Sequence, residues 1–101
     1  MDEQRQVAAF IDRHDIDAPP AFRLLDVVSE LGEIAKDVNE STGYGDTPTE
    51  AAVSEDELGD ALFALLALAE ELDADAGAAL DTALAKYESR LETQNDPSSG
   101  E

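Results

Sequence analysis

An uninterrupted apolar run, ALFALLALA at residues 61–69, constrains the fold of this chain more than any other feature. A helix built from this run is apolar on every side, and such a helix has to be covered all round. A chain of 101 residues buries a modest core and can hardly cover that helix by itself. The run is also far too short to span a lipid bilayer. We therefore expect a helical domain that a second copy of the chain completes.

The spacing of the other apolar residues predicts further helices. Leu24, Val28 and Leu31 follow the rhythm of an amphipathic helix and mark the face that we expect to pack in the core. No strand-like alternation is present. The predicted helices cover about 3–14, 20–40, 53–72 and 75–92. The sequence thus predicts a single all-α domain at 1–92, a four-helix bundle-type fold completed by homo-oligomerisation, and a disordered tail at 93–101.

Acidic residues dominate the charge of the chain. It contains 25 Asp and Glu against six Lys and Arg, a formal net charge of −19, which argues against nucleic acid or an anionic membrane surface as a partner. The acidity either attracts a basic partner or forms a surface suited to molar salt, where the screening length falls to about 3 Å. Because the acids are spread over the whole chain, we favour a halophilic surface. Without cysteine or an apolar signal region behind the polar start MDEQRQ, we expect a soluble cytoplasmic protein.

Two short segments each place two carboxylates three residues apart in a helix-forming context. Glu30 and Glu33 lie in SELGEI, and Glu57 and Asp60 lie in DELGDALF. The first pair lies opposite the apolar arc of its helix, so that helix alone fits solvated acids equally well. The second pair begins the helix that must be covered, where Ser54 and Glu57 also suggest a capping box. Desolvated carboxylates must be protonated, paired or bound to a cation, and oxygen donors without His or Cys suit Mg²⁺ or Mn²⁺.

A glycine occupies the equivalent position in both acidic segments. Gly32 precedes Glu33, and Gly59 precedes Asp60. Because a glycine inside a helix costs about 1 kcal/mol relative to alanine, its repeated use predicts a close approach of helices beside each carboxylate pair. In so acidic a chain, paired carboxylates also arise by chance. These residues by themselves lead to the hypothesis of a hard-metal site and no further.

Around these residues the sequence resembles the MazG-like nucleotide pyrophosphohydrolases, a branch of the all-α NTP pyrophosphohydrolases. That family carries E-E-x-x-E on one helix and E-x-x-D on the next, and SELGE at 29–33 and ELGD at 57–60 match these motifs within a likeness over about 22–91. Ser29 departs from the pattern, because many members carry there the first of two adjacent glutamates. The resemblance implies that four residues hold Mg²⁺, or Mn²⁺ in its place: Glu30, Glu33, Glu57 and Asp60. It also implies hydrolysis of a nucleoside triphosphate between the α and β phosphates, with Glu33 taking a proton from water, and a role in clearing non-standard nucleotides.

Two basic residues of the last predicted helix offer contacts to a phosphate. Lys86 and Arg90 lie one turn apart and can donate to phosphate oxygens, although pairing with Glu88 or Glu92 explains them equally well. Two alternative functions stay open: a phosphoribosyl-ATP pyrophosphohydrolase on the same scaffold, and a non-catalytic acidic helical interaction module. The sequence also leaves open the base and sugar of the substrate and the choice between a homodimer and a dimer of dimers.

Overall fold

A computed structural model describes residues 1–94 and places most of them in helices. The elements are α1 (Asp2–His14), α2 (Pro20–Ser41), a one-turn 3-10 helix (Pro48–Glu50), α3 (Glu55–Glu71) and α4 (Ala76–Gln94). No strand occurs in this part of the chain, so the all-α prediction is confirmed, and each predicted helix bound lies within two residues of the observed one. None of the helices described is long and apolar enough to cross a membrane. The predicted tail at 93–101 mostly lies outside the described residues, and α4 includes its first two.

The helix ends follow local chemistry. Pro20 opens α2, where its missing N–H is not needed and its fixed φ suits the first turn. The Ser54 hydroxyl accepts a hydrogen bond from the backbone N–H of Glu57 at 3.2 Å and caps α3. This is the first half of the predicted capping box. In the second half the Glu57 carboxylate would return to the Ser54 backbone, but that carboxylate faces Asp37 on α2 instead.

Helix α3 forms the centre of the core and packs against α2 on one side and α1 on the other. Its buried residues are Ala64, Leu66 and Ala67, and Ala67 is completely inaccessible to solvent. Ile11 of α1 and Val27 of α2 are buried with them. Small alanine side chains on α3 leave room for neighbouring helices to approach, and this explains why the centre of the apolar run is covered on these two sides.

A buried glutamine fixes the N-terminal helix to the turn between α3 and α4. Gln4 is 6% exposed, and its amide nitrogen donates hydrogen bonds of 2.7 Å to the Glu70 carboxylate and to the carbonyl of Ala74. Its amide oxygen accepts a hydrogen bond of 2.8 Å from the backbone N–H of Ala76. The side chain therefore satisfies three polar groups of another part of the chain, which is how a buried amide avoids a desolvation cost.

The face of α2 that the sequence predicts to be buried is exposed. Leu24, Val28 and Leu31 are each at least 50% accessible, whereas the face that meets α3 carries Val27, which is buried, and Glu30, which is partly buried. The prediction was wrong because it assumed that the most apolar arc would pack within the chain. No helix of residues 1–94 lies opposite that arc to cover it.

Helix α4 makes only marginal contact with the other helices of the described chain. Its apolar residues Leu80, Leu84 and Leu91 are 42–56% exposed. The Cα radius of gyration is 16.5 Å, larger than the roughly 13 Å expected of a compact domain of 100 residues. The described chain therefore packs three helices together and leaves the fourth, with its apolar stripe, largely uncovered.

Enlarging a core alanine should weaken the fold. Because Ala67 has no accessible surface, Ala67→Leu has to displace α1 or α2, and overpacking of this kind lowers the free energy of unfolding by about 1–3 kcal/mol. Ala9→Leu, on the exposed side of α1, is the matched control, and its effect should stay within about 0.5 kcal/mol. Urea unfolding followed by circular dichroism measures both, and equal losses in the two variants would contradict the packing described for α3.

Candidate functional site

The interface between α2 and α3 brings acidic residues of the two helices to a common cleft. This cleft has a volume of about 290 Å³. Its lining residues are Arg23, Asp26 and Glu30 from α2, and Asp60, Phe63 and Ala64 from α3. Glu30 and Asp60, which belong to different motifs in the sequence, therefore share one cleft, as expected for residues that act on a common ligand.

The other two motif carboxylates, Glu33 and Glu57, lie one helical turn further along the same interface. Glu57 of α3 lies close enough to Glu33 and Asp37 of α2 for their charges to affect its ionisation. Glu33 is exposed, whereas Glu57 and Asp37 are partly buried. Oε2 of Glu57 is inaccessible to solvent and has no hydrogen-bond partner among residues 1–94. Leaving a buried carboxylate oxygen without a partner is costly, so this position favours a proton or a cation.

The surroundings of Glu57 raise its pKa from the ordinary 4.5 to about 7. The largest cause is a hydrogen bond that the carboxyl group shares with Asp37 when it carries the proton. Partial burial comes second, because it disfavours the charged form, and the negative charges of Asp37, Glu33 and Asp56 add to it. A divalent cation would reverse this preference, since it stabilises the ionised carboxylate and displaces the proton.

The carboxylate oxygens at this interface suit a hard divalent cation, although no more than two of the described side chains come close together at one place. Within residues 1–94 no three Asp, Glu, His or Cys side chains are gathered closely enough to form a recognisable metal-binding group. Glu30 with Asp60, and Glu33 with Glu57, are nevertheless carboxylates from facing helices, and the buried Oε2 of Glu57 lacks a partner. Such all-oxygen ligands are those that Mg²⁺ and Mn²⁺ prefer. A bound cation would remove the repulsion between these acids, and this gain in free energy would favour its binding.

The two motif glycines do not mark close helix contacts. A Cβ atom built on Gly32 or Gly59 would meet nothing within 4 Å. The predicted close approach beside the carboxylates is therefore wrong for the residues described. The reason is that Gly59 lies on the side of α3 turned towards an open groove beside α1, while Gly32 is exposed. Neither residue lines the acidic cleft.

The two basic residues predicted to meet phosphate contact an aromatic ring in the structure. The Lys86 ammonium lies 5.1 Å, and the Arg90 guanidinium carbon 6.0 Å, from the centre of the Tyr87 ring. Neither lines the acidic cleft. Ion pairs with Glu88 or Glu92 are likewise absent from the described residues. A phosphate-binding role for this pair stays a prediction.

Three residues of the site were missed in the sequence. Arg23 and Asp26 line the cleft with Glu30, and the three follow one another at intervals of three and four residues, which places them on one helix face. Asp37 lies four residues after Glu33, so the two share one face of α2, and Asp37 contacts Glu57 of α3 from that face. The spacing places these residues on the face of α2 that carries Glu30 and Glu33, but it does not show whether that face meets α3 or solvent.

In the metal-free protein, ionisation of Glu57 should lower stability as the pH rises. Because its folded-state pKa of about 7 exceeds the ordinary 4.5, its contribution is complete below the unfolded pKa and is lost as the pH rises through the folded pKa. Glu57→Gln keeps the shape and removes the charge, so the Tm of this variant relative to wild type should increase between about pH 4.5 and 7. Thermal unfolding in EDTA measures this difference. Glu55→Gln, exposed in the first turn of α3, is the control, and a pH-independent difference for Glu57→Gln would rule out its close contact with Asp37.

Comparison with known proteins identifies the family. The family model of the MazG nucleotide pyrophosphohydrolase domain matches residues 21–94, which include α2, α3 and α4 and leave out α1. The uncharacterized protein YpjD of Bacillus subtilis (strain 168) is 36% identical over 75 residues, which are 70% of this chain and 66% of that protein, so the chain spans just under two thirds of its relative. No solved structure gives a significant match. With its four motif carboxylates inside the matched region, the chain belongs to the MazG nucleotide pyrophosphohydrolase domain family.

Proposed function

We propose that the protein is a nucleoside triphosphate pyrophosphohydrolase that depends on Mg²⁺ or Mn²⁺. It cleaves its substrate between the α and β phosphates and gives a nucleoside monophosphate and pyrophosphate. The observation that carries this proposal is that motif carboxylates of both helices lie along the α2–α3 interface: Glu30 and Asp60 line one cleft, and the charge of Glu33 acts on Glu57. Membership of the MazG family supports pyrophosphohydrolase chemistry. We extend the proposal to the removal of non-standard nucleotides from the nucleotide pool.

Four carboxylates would hold the cation: Glu30, Glu33, Glu57 and Asp60. A bound Mg²⁺ or Mn²⁺ would neutralise the negative charge of the polyphosphate and orient the attacking water. This neutralisation is important for a protein with a net charge of −19, because the bare acidic surface repels a triphosphate. Glu57 has to give up its proton before it can act as a ligand, so we expect cation affinity to increase with pH up to about 7.

Glu33 is the residue that we propose as the general base. It is exposed beside Glu57, so water and substrate can both reach it. In the reaction the water oxygen forms a bond to the α-phosphorus, and the bond from that phosphorus to the bridging oxygen breaks. Pyrophosphate leaves with the electron pair, and Glu33 accepts the proton of the water. A positioned carboxylate in this role typically contributes about 10²–10⁴-fold to the rate.

We further propose that the working form is a homodimer or a dimer of dimers. Sixteen large hydrophobic side chains of residues 1–94 are at least 39% exposed, and contiguous apolar surface of this kind is typical of an interface with another protein. The exposed stripes of α2, with Leu24 and Val28, and of α4, with Leu80 and Leu84, offer apolar faces to a second copy. At high salt such faces associate readily because self-repulsion between acidic copies is screened.

A charge placed in the α4 stripe should weaken the assembly. Leu84 is 56% exposed, and Leu84→Asp would bury an unpaired carboxylate if a second copy covers this stripe. The expected result is a shift from dimer or tetramer to monomer in sedimentation equilibrium at molar KCl. Thr82→Asp, on the other side of the same helix and exposed, should leave the mass unchanged. A monomeric wild-type protein at these salt concentrations would overturn the proposal of an oligomer.

Loss of a site carboxylate should abolish magnesium-dependent release of pyrophosphate. Glu33→Gln removes the proposed base and should lower the turnover number by about 100-fold or more. Asp60→Asn removes a proposed ligand and should give a comparable loss that extra Mg²⁺ partly restores. Glu40→Gln, exposed at the end of α2, is the control with unchanged activity and helicity.

The assay screens nucleoside triphosphates and phosphoribosyl-ATP at high salt and reads pyrophosphate directly. Release from phosphoribosyl-ATP alone would identify the histidine-synthesis reaction instead. If the wild-type protein releases pyrophosphate from none of these compounds with Mg²⁺ or Mn²⁺, the chain acts as a non-catalytic acidic helical module.

A further inference from the structure

Arg23 is a buried cation in the wall of the acidic cleft. Its side chain is 8% exposed, and it lines the cleft together with Glu30 and Asp60. Nη2 donates a hydrogen bond to the carbonyl of Ile16, and Nε lies 3.5 Å from the Glu71 carboxylate as an ion pair without hydrogen-bond geometry. None of the hydrogen bonds among residues 1–94 uses Nη1. Nε therefore already faces Glu71, whereas the two N–H groups of Nη1 are unused in the described chain, and a guanidinium that is nine-tenths buried with unused N–H groups can bind an anion.

The other basic residues of the chain lie elsewhere. Arg5 pairs with Asp2, Arg13 lies over the Phe10 ring, Lys86 and Arg90 lie over the Tyr87 ring, and Lys36 is exposed on α2. Because the chain has only six Lys and Arg in total, a phosphate that enters the acidic cleft meets a single basic side chain of this chain there, Arg23.

We propose that Arg23 forms an anion subsite for the pyrophosphate part of the substrate and for the pyrophosphate product. The inference deepens the proposed function and rests on it, since the acidic cleft has to be neutralised before a phosphate can approach. Once Glu30 and Asp60 are neutralised, Arg23 provides a fixed positive charge beside them. Its planar guanidinium can donate two N–H groups to one phosphate, which a lysine cannot do. Because its side chain is already ordered by Ile16 and Glu71, little conformational entropy is lost on binding.

The experiment has to distinguish anion binding by Arg23 from a purely structural role of this side chain. The side chain connects the linker before α2, through Ile16, with the end of α3, through Glu71. Glu71→Gln is the matched control, because it removes the ion pair with Arg23 and keeps an oxygen to accept the Ala18 N–H, which now donates to Glu71 at 3.2 Å. If Arg23 acts only through this connection, Arg23→Gln and Glu71→Gln should behave alike.

The experiment measures binding of pyrophosphate to the full chain saturated with Mg²⁺ in molar KCl, by isothermal titration calorimetry, with Tm as the test of folding. Arg23→Gln should raise the Kd for pyrophosphate by about tenfold or more, the loss expected of a charged hydrogen-bond donor. Arg23→Lys, which keeps the charge but not the fork, should bind pyrophosphate less tightly than wild type while it still unfolds cooperatively. Glu71→Gln keeps the guanidinium and its hydrogen bond to Ile16, so it should raise the Kd much less than Arg23→Gln does.

Three outcomes would overturn the subsite: no binding of pyrophosphate by the wild-type protein, an unchanged Kd in Arg23→Gln, or equal losses in Arg23→Gln and Glu71→Gln. If Arg23→Gln does not fold, Arg23→Lys decides, and unchanged binding in that variant overturns the subsite. These results are separate from the hydrolysis assay. A protein that binds pyrophosphate through Arg23 and hydrolyses no nucleotide would refute the proposed function and leave the anion subsite standing.

Discussion

The packing of α2 against α3 is the interaction on which the rest of the molecule depends. It buries Val27 and Ala67 in one core and brings carboxylates of both helices to the same interface. Acidic groups gathered in this way repel one another, and the pKa of Glu57 is raised first by its hydrogen bond with Asp37, then by partial burial and by this repulsion. Acids in this arrangement favour whatever relieves the repulsion between them, and a proton or a divalent cation would do so.

The same packing leaves the most apolar surfaces of the chain without partners. Leu31 of α2 and Leu84 of α4 are more than half exposed, and α4 contributes little to the described core. Folding within one chain has therefore used the mixed face of α2, where Val27 alternates with Arg23 and Glu30. A short chain has too few helices to cover both faces of α2. The position of the acidic cleft and the exposure of the apolar arc therefore have one physical origin.

Arg23 differs from the other basic residues because it is buried and lines the acidic cleft. In a chain with a net charge of −19, a buried guanidinium in a cleft with Asp26, Glu30 and Asp60 would be expected to form ion pairs with these acids. Instead its defined contacts are to Ile16 and Glu71, and neither of these residues is a motif acid. Arg23 thus connects the linker and α3 while it also lines the cleft, so in the proposed subsite one side chain would serve both folding and ligand binding.

The sequence by itself determined the helices, the absence of strands from the described chain and the four motif carboxylates with the family to which they belong. These features depend on local periodicity, on caps such as Ser54 and on short motifs, all of which a linear reading can detect. Only the tertiary structure decided which face of α2 is buried, that Gly32 and Gly59 adjoin open space, and that Arg23 and Asp37 join the site. Those features depend on which helices face one another, and helix periodicity is compatible with several arrangements. The prediction that the apolar arc of α2 packs in the core was wrong for the described chain. A hydrophobic pattern identifies a surface that needs covering, but it does not say whether this chain or another copy covers it.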